Sequence, residues 1–458
     1  MLVRFNVGNF LSFKEVQEFS LLKGSTKNKS NRIYDNKKVK LLKFASVFGA
    51  NASGKSNLIT SIMYAQNKII SKRWNNFKSG TFKLDSSYKD EPSYFEFEIL
   101  VNNKLYSYGF EILINKNEFI SEWLIELSPD GNDKNIFTRD IVNKKIEVGL
   151  KKLSSDLRKK LEVYSDDIKA NTELLFLKEM NRAKRDLYKN NSELSIFNDI
   201  YTWFNKSLDV NYPDRPISNY SYFSDVENKD EICRVIKALG TGITNFKIEE
   251  SSIDEIKKDL PKEVAERLEE DVHEVIEVKE KLGKETSISI RLNEMYYLIY
   301  IDENNEVKVN TVVFNHGCDE KFTFSEESDG TRRILDLIEI LFSNEDKTYI
   351  IDEIDRSLHP QLTYKFIKEF LSVASKRNTQ LIITTHESRL LDFRLLRQDE
   401  IWIANKKSSG ETQLYSLDEY NVRFDKKVDK AYLEGRYGGV PIFTTIFPIE
   451  EDEVCENS

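Results

Sequence analysis

Gly49-Ala50-Asn51-Ala52-Ser53-Gly54-Lys55-Ser56 fits the pattern G-x-x-x-x-G-K-[ST], and its flanks decide what it means. The pattern describes a loop whose backbone N–H groups and one lysine surround a nucleotide's phosphates, while the final hydroxyl ligates Mg2+. Before it, Leu41 to Phe48 reads as a buried strand. After it, Asn57 to Ile70 sets Leu58, Ile59, Ile62 and Met63 at helical spacing. The chemistry needs a loop between strand and helix, because the helix N-terminus adds partial positive charge beside the phosphates.

The chain of 458 residues has room for two or three domains, and 40% hydrophobic residues support a real core. With 68 basic against 77 acidic residues the formal charge is −9, which excludes a general electrostatic attraction to nucleic acid. Contact with DNA or RNA then requires a local patch. Cys233, Cys318 and Cys455 are far apart and lack metal-ligand spacing, so reduced thiols in a cytoplasmic protein are expected. No apolar run approaches the roughly 18 residues that span a bilayer, so no membrane association is expected. The start, with Arg4, Asn6 and Gly8, reads as a first strand instead of an export signal.

Leu2 to Val7 and Val16 to Leu22 read as strands, followed by a polar loop from Lys23 to Lys38. Tyr94 to Val101 and Leu105 to Ile114 alternate apolar and polar residues around Asn102-Asn103, a hairpin signature, and Phe119 to Leu127 continues the pattern. From Lys151 to Asn205 charged residues alternate with Leu, Ile and Phe at helical spacing. Pro213 and Pro216 interrupt them, and a second helical face runs from Asp254 to Lys284. Strands return at Ser287 to Val313, and then helices alternate with the apolar runs Tyr349 to Ile351 and Leu381 to Ile383, which implies a parallel sheet. The expected organisation is an N-terminal lobe at 1–150, a helical insertion at 151–284, a C-terminal lobe at 285–445 and an acidic tail at 446–458.

Thr348-Tyr-Ile-Ile-Asp352-Glu353 is an apolar strand ending in two acids. Beside a phosphate loop, Asp352 can hold Mg2+ through its water shell and Glu353 can polarise the attacking water. Asp352 follows Lys55 by 297 positions, so a large insertion separates the two halves of the site. Ser328-Asp329-Gly330-Thr331 opens a helix. It reads either as a plain N-cap or as an N-terminus presented to the γ-phosphate of ATP held by another subunit. His386, after the strand that follows Asp352-Glu353, is placed to sense the γ-phosphate, and the tight segment from Asp355 to His359 is placed to cross a dimer interface.

This order of motifs resembles the ABC-type ATPases of the SMC, RecF and OLD group, over Leu2 to about Asn405 outside most of the insertion. The resemblance implies an α/β fold: a P-loop ABC-type ATPase head with an antiparallel β meander in the N-terminal lobe and a helical insertion. It also implies a homodimer or higher oligomer that sandwiches two ATP molecules. Each ATP is then bound by Lys55 and Ser56 of one subunit and by Ser328 and Gly330 of the other. Asp352 serves Mg2+, Glu353 activates water and His386 meets the γ-phosphate. Two features depart from the group. The signature is Ser-Asp-Gly-Thr instead of Ser-Gly-Gly-Gln, and no glutamine after the phosphate loop completes the Mg2+ shell.

Asn9-Phe-Leu-Ser-Phe13, Glu327-Ser-Asp-Gly-Thr331 and the tail from Lys430 to Pro441 look like the bacterial RloA, AbiL and AriA-type ATPases. That resemblance implies an ATPase acting as sensor and scaffold in antiphage defence, with a separately encoded TOPRIM- or RloB-like nuclease as effector and a nucleic acid or phage protein as trigger. Lys406 to Ser458 offers no nuclease fold, and Glu450 to Glu453 read as a solvated tail. The alternative is a RecF-like repair ATPase that binds DNA directly, through Lys72-Arg73-Trp74 and Arg182, Lys184 and Arg185.

Overall fold

The computed structural model describes residues 1–70, 80–151, 153–182, 188, 194–212, 221–224, 228–251, 287–292, 295–301, 307–342, 346–420 and 428–440. Lys72-Arg73-Trp74, Lys184, Arg185, Pro213 and Pro216, the helical face from Asp254 to Lys284 and the acidic run from Glu450 to Glu453 lie outside these residues.

The chain opens with the antiparallel strands β1 (Leu2–Gly8) and β2 (Gln17–Ser20), then a small hairpin of β3 (Ile33–Asp35) and β4 (Lys40–Leu42), then β5 (Phe44–Phe48). The continuous strand expected from Leu41 to Phe48 is therefore split at Lys43. Its buried ammonium donates to the carbonyls of Ala374 and Arg377 at 2.8 and 2.7 Å, so Leu41 and Leu42 pair with β3 and only Phe44 onward enters the core sheet.

After α1 (Lys55–Ile70) come β6 (Ser93–Val101), β7 (Lys104–Leu113), β8 (Glu118–Leu127), β9 (Lys134–Asp140) and β10 (Lys145–Val148). With β1 and β2 they form a seven-stranded antiparallel sheet in the order β10-β9-β8-β7-β6-β1-β2. Asn102 and Asn103 take left-handed φ values of 49° and 62°, the twist a two-residue hairpin needs. Phe95, Phe97, Ile99, Tyr108 and Phe110 line the buried face, where Phe204 packs on Phe97 and Tyr108, and Tyr64 of α1 on Phe95. The helices α2 (Ser155–Ile168), α3 (Phe176–Asn181) and α4 (Ser195–Thr202) join the same core, with Phe176 and Phe197 against Phe137 of β9. A fully buried pair ties these helices to the sheet: Arg139 lies 3.4 Å from Glu122 and donates to the carbonyl of Leu174 at 2.8 Å, while Glu122 accepts from the backbone N–H groups of Phe176 and Leu177.

The second sheet holds β11 (Leu208–Asn211), β17 (Thr348–Ile351), β18 (Gln380–Thr384), β5, β19 (Ile401–Lys406) and β20 (Thr412–Ser416) in that order, parallel except for β20. Alternation along each strand sorts its side chains. Ala45, Val47, Ile350 and Ile382 meet α1 on one face, while Phe44, Phe48, Tyr349, Ile351, Leu381 and Ile383 meet α7 (Pro360–Ala374) on the other. Each buried aliphatic or aromatic side chain contributes roughly 1.5–3 kcal/mol. Gln380 joins the two sheets: its carboxamide accepts from the Leu2 N–H and the Thr348 hydroxyl, and donates to the carbonyls of Leu2 and Leu42.

Residues 151–284, expected as a helical insertion, thus include an edge strand of the parallel sheet. They also contain α5 (Lys229–Ala238) and β12 (Asn245–Ser251), which pairs with β15 (Val307–Asn315) in a third, antiparallel sheet with β13 (Ser287–Leu292), β14 (Met295–Ile301) and β16 (Phe322–Thr323). The amphipathic α6 (Asp329–Phe342) lies between the third sheet and the parallel sheet, sending Leu335 and Ile338 toward Phe314 and Ile236, and Leu337 and Ile340 toward the parallel sheet. The helix α8 (Val428–Leu433) completes the described chain.

Candidate functional site

The chain turns from β5 into α1 through Gly49 to Gly54. Its shape needs glycine at two places. A Cβ at Gly54, where φ is +107°, would stand 2.1 Å from the Thr412 hydroxyl, and one at Gly49 would stand 2.4 Å from the Ala404 carbonyl. Ala52 is left-handed at φ +61°, and Asn51 and Ala52 are exposed. Ser53 is buried with no hydrogen bond to its hydroxyl, and Ser56 is exposed in the first turn of α1. Lys55 is 5% exposed, and its ammonium donates to the carbonyls of Gly49 and Ala50 at 2.8 and 3.0 Å. Burial lowers its pKa to about 8, opposed by the charges of Asp352, Glu353 and Asp355.

Those acids reach the loop because β17 lies beside β18 and β18 beside β5, all in parallel, so that their C-terminal ends fall together. Asp352 is 3% exposed, its N–H donates to the Asn211 carbonyl at 3.0 Å, and its Oδ1 accepts from the Thr384 hydroxyl at 2.5 Å. That hydroxyl also accepts from the N–H of Glu353 at 2.8 Å. Glu353 itself is left-handed at φ 47°, an uncommon and costly state for a side chain of this size. The N–H of His386 lies 3.4 Å from Asp355 Oδ2. The imidazole, open on one side, is held below its ordinary pKa by partial burial and by the charge of Lys55, against the opposing charges of Asp355, Glu353 and Asp352. Lys55, Asp352, Glu353 and His386, read separately from the sequence, share one electrostatic neighbourhood.

Ser328 and Gly330 lie at the start of α6. The Ser328 hydroxyl accepts from the Thr331 N–H at 3.1 Å, the N-cap arrangement, and a Cβ at Gly330 would stand 3.0 Å from the Ser357 carbonyl. The start of α6 therefore rests on the turn between Asp355 and His359 of its own chain. Among the described residues no hydrogen bond or ion pair joins Ser328 or Gly330 to Lys55 or Asp352. One turn further on, Arg333 is buried without a hydrogen bond to its guanidinium, and burial lowers its pKa to about 10.

Other residues at the loop escaped the sequence reading. Asn9 and Leu11, with φ of 47° and 50°, bend Asn9-Phe-Leu-Ser-Phe13 into a tight turn that aims Ser12 at the loop. The Ser12 hydroxyl accepts from Asn57 at 2.7 Å, and the Ser12 carbonyl accepts from the Thr412 N–H at 2.8 Å. The Thr412 hydroxyl in turn donates to the Ser53 carbonyl at 2.8 Å. The opening motif carried the signal, without its destination. Asn211, which ends β11 beside Asp352, has no such signal in the sequence. Of the basic cluster with Lys184 and Arg185, Arg182 is described: it is exposed at the end of α3.

Residues 44–392 match the family described as "AAA domain, putative AbiEii toxin, Type IV TA system". The match begins on the first residue of β5 and runs past His386, which follows β18. The chain belongs to this AAA family. Among solved structures this AAA protein is similar to the SMC head domain from Thermotoga maritima, with 11% identity over 91% of this chain and 98% of that chain and a TM-score of 0.33. It is likewise similar to the Smc head domain with an extended coiled coil bound to the C-terminal domain of ScpA derived from Pyrococcus furiosus, with 14% identity over 91% and 96% of the two chains and a TM-score of 0.31. No curated protein matches it. Among the described residues no helix is long and apolar enough to cross a membrane.

Proposed function

We propose that this AAA protein binds and hydrolyses ATP with Mg2+ at the end of β5, as sensor and scaffold of a bacterial antiphage defence system in the cytoplasm. The observation that carries the ATP reading is the convergence of Lys55 with Asp352, Glu353 and His386 from strands 297 and more positions away. In this reading Gly49 to Ser56 wrap the phosphates, and Lys55 leaves the carbonyls of Gly49 and Ala50 to meet them. The Ser56 hydroxyl and the Asp352 carboxylate are hard oxygen donors of the kind Mg2+ selects, and Thr384 orients the carboxylate. Bound there, Mg2+ would neutralise phosphate charge. Glu353 takes the proton of the water whose oxygen bonds to the γ-phosphorus as the bridge to ADP breaks. His386 offers one ring N–H to the γ-phosphate.

Ser328 and Gly330 then serve ATP held by a second copy. The family's description as a toxin of a type IV system supports a role in which nucleotide state controls a harmful outcome, with a separately encoded nuclease-like effector and a nucleic-acid or phage-protein trigger. Purified chain should hydrolyse ATP, and Lys55→Ala should abolish it; hydrolysis that survives this change ends the site assignment. Glu353→Gln should trap an ATP-bound dimer visible by light scattering. A size independent of nucleotide would rule out the sandwich.

A further inference from the structure

The tail motif beginning at Lys430 ends on the phosphate loop. Tyr432 in α8 sets its ring edge-on to Phe48, the residue that precedes Gly49, with centroids 6.2 Å apart. Its hydroxyl donates to the carbonyl of Gly439 at 2.8 Å. Gly438 and Gly439 are both left-handed, with φ of 68° and 66°, and the Gly439 N–H donates to Asn405 Oδ1 at 3.0 Å. Space is as tight as the backbone is special. A Cβ on Gly438 would lie 2.6 Å from the Tyr415 hydroxyl, and one on Gly439 would lie 2.7 Å from the Ile403 side chain and 3.4 Å from the Cα of Gly49. Burial pushes the Tyr432 hydroxyl up to about 12, and a hydrogen bond from the Gly49 backbone opposes that rise.

Gly49 is thereby held from two sides. The Tyr432 hydroxyl takes a hydrogen bond from the Gly49 backbone, and the Gly49 carbonyl accepts from the Lys55 ammonium. Any displacement of Gly49 moves the lysine's resting partner and the entrance of the loop together.

We propose that Tyr432 and Gly439 are positioning residues of the nucleotide site, forming a brace that fixes Gly49 and so sets the reach of Lys55 toward the phosphates. Gly439 is then required by its close approach to Ile403 and the loop, and Gly438 by the Tyr415 hydroxyl, and not merely by a surface turn. The inference rests on the ATP reading of the loop.

The test uses the full chain, titrated with ATP and Mg2+ by calorimetry, with steady-state hydrolysis and melting without nucleotide measured in parallel. Tyr432→Phe and Gly439→Ala should each weaken ATP binding about tenfold, the loss expected for one misplaced hydrogen-bonding group. KM should rise in step, with kcat at saturating ATP within about twofold, a split that a general loosening of the fold does not produce. Gly439→Ala should also lower the nucleotide-free melting temperature, because its left-handed φ and the Ile403 side chain resist a Cβ. Wild-type affinity in both variants overturns the brace while leaving the ATP reading intact. A fall in kcat as large as the loss of affinity in both variants, as general loosening would cause, also overturns it. Failure of the wild-type chain to bind ATP, with Lys55→Ala indistinguishable from it, overturns the ATP reading and the brace with it.

Discussion

The hydroxyl of Thr384 donates to Asp352 at 2.5 Å, across the two strands that end at the site. The same oxygen accepts from the N–H of Glu353, so one threonine fixes the acid proposed for Mg2+ and the backbone of the acid proposed for water. Thr384→Val keeps the shape and removes both bonds. Hydrolysis should fall about 10- to 100-fold, the usual cost of removing a group that orients a metal ligand, with the deficit largest at limiting Mg2+. Equal Mg2+ dependence in variant and wild type would exclude this role.

Lys55 makes nucleotide affinity depend on pH. Its folded pKa of about 8 lies below the ordinary 10.5, so between these values the unfolded chain holds more protons than the folded one. Its contribution to stability therefore rises with pH through that window. ATP binding should weaken over the same window, because the ammonium that meets the phosphates is being lost. Comparing wild type with Lys55→Met isolates the effect: the difference in melting temperature should slope across the window, and the wild-type affinity should decline above about pH 8.

Glu353 holds a left-handed backbone at φ 47°. Replacing it with alanine or glycine removes the same carboxylate and should abolish hydrolysis in both cases. The two variants should differ in stability by about 1 kcal/mol in favour of glycine, which has no Cβ to resist that conformation. Urea unfolding checks this, and an alanine variant as stable as the glycine one would show that the backbone relaxes.

Arg139 and Glu122 form a buried pair between the meander and the helices on its inner face. Arg139→Met leaves a carboxylate buried without its cation and should cost about 3–5 kcal/mol in chemical denaturation. Replacing both residues with apolar ones of similar volume should recover much of that loss, since two desolvated charges disappear together.

The local half of this architecture is legible in the sequence. A loop between strand and helix, the Asn102-Asn103 hairpin and the acids ending an apolar strand all depend on neighbours in the chain. What escapes is set by distant pairing. Lys43 divides a run that looks like one strand, because its partners are carbonyls at 374 and 377. Leu208–Asn211 is four residues of mixed polarity, and only the β17 edge makes it a strand. The strands β9 and β10 are short and charged on one side, β19 and β20 fall between His386 and the tail motif, and nothing within Asn9 to Phe13 or Lys430 to Val440 states that both segments close on the same loop.

The placement of β5 has a consequence for biosynthesis. Its two neighbours, β18 and β19, lie at 380–384 and 401–406, so the strand that feeds the phosphate loop has no sheet partner while most of the chain is still being made. At roughly 5–20 residues per second, that interval lasts on the order of 15 to 70 s. Over that time the apolar edges of Phe44–Phe48 must be kept from other chains, which makes a nascent chain arrested before β18 a natural client for chaperones.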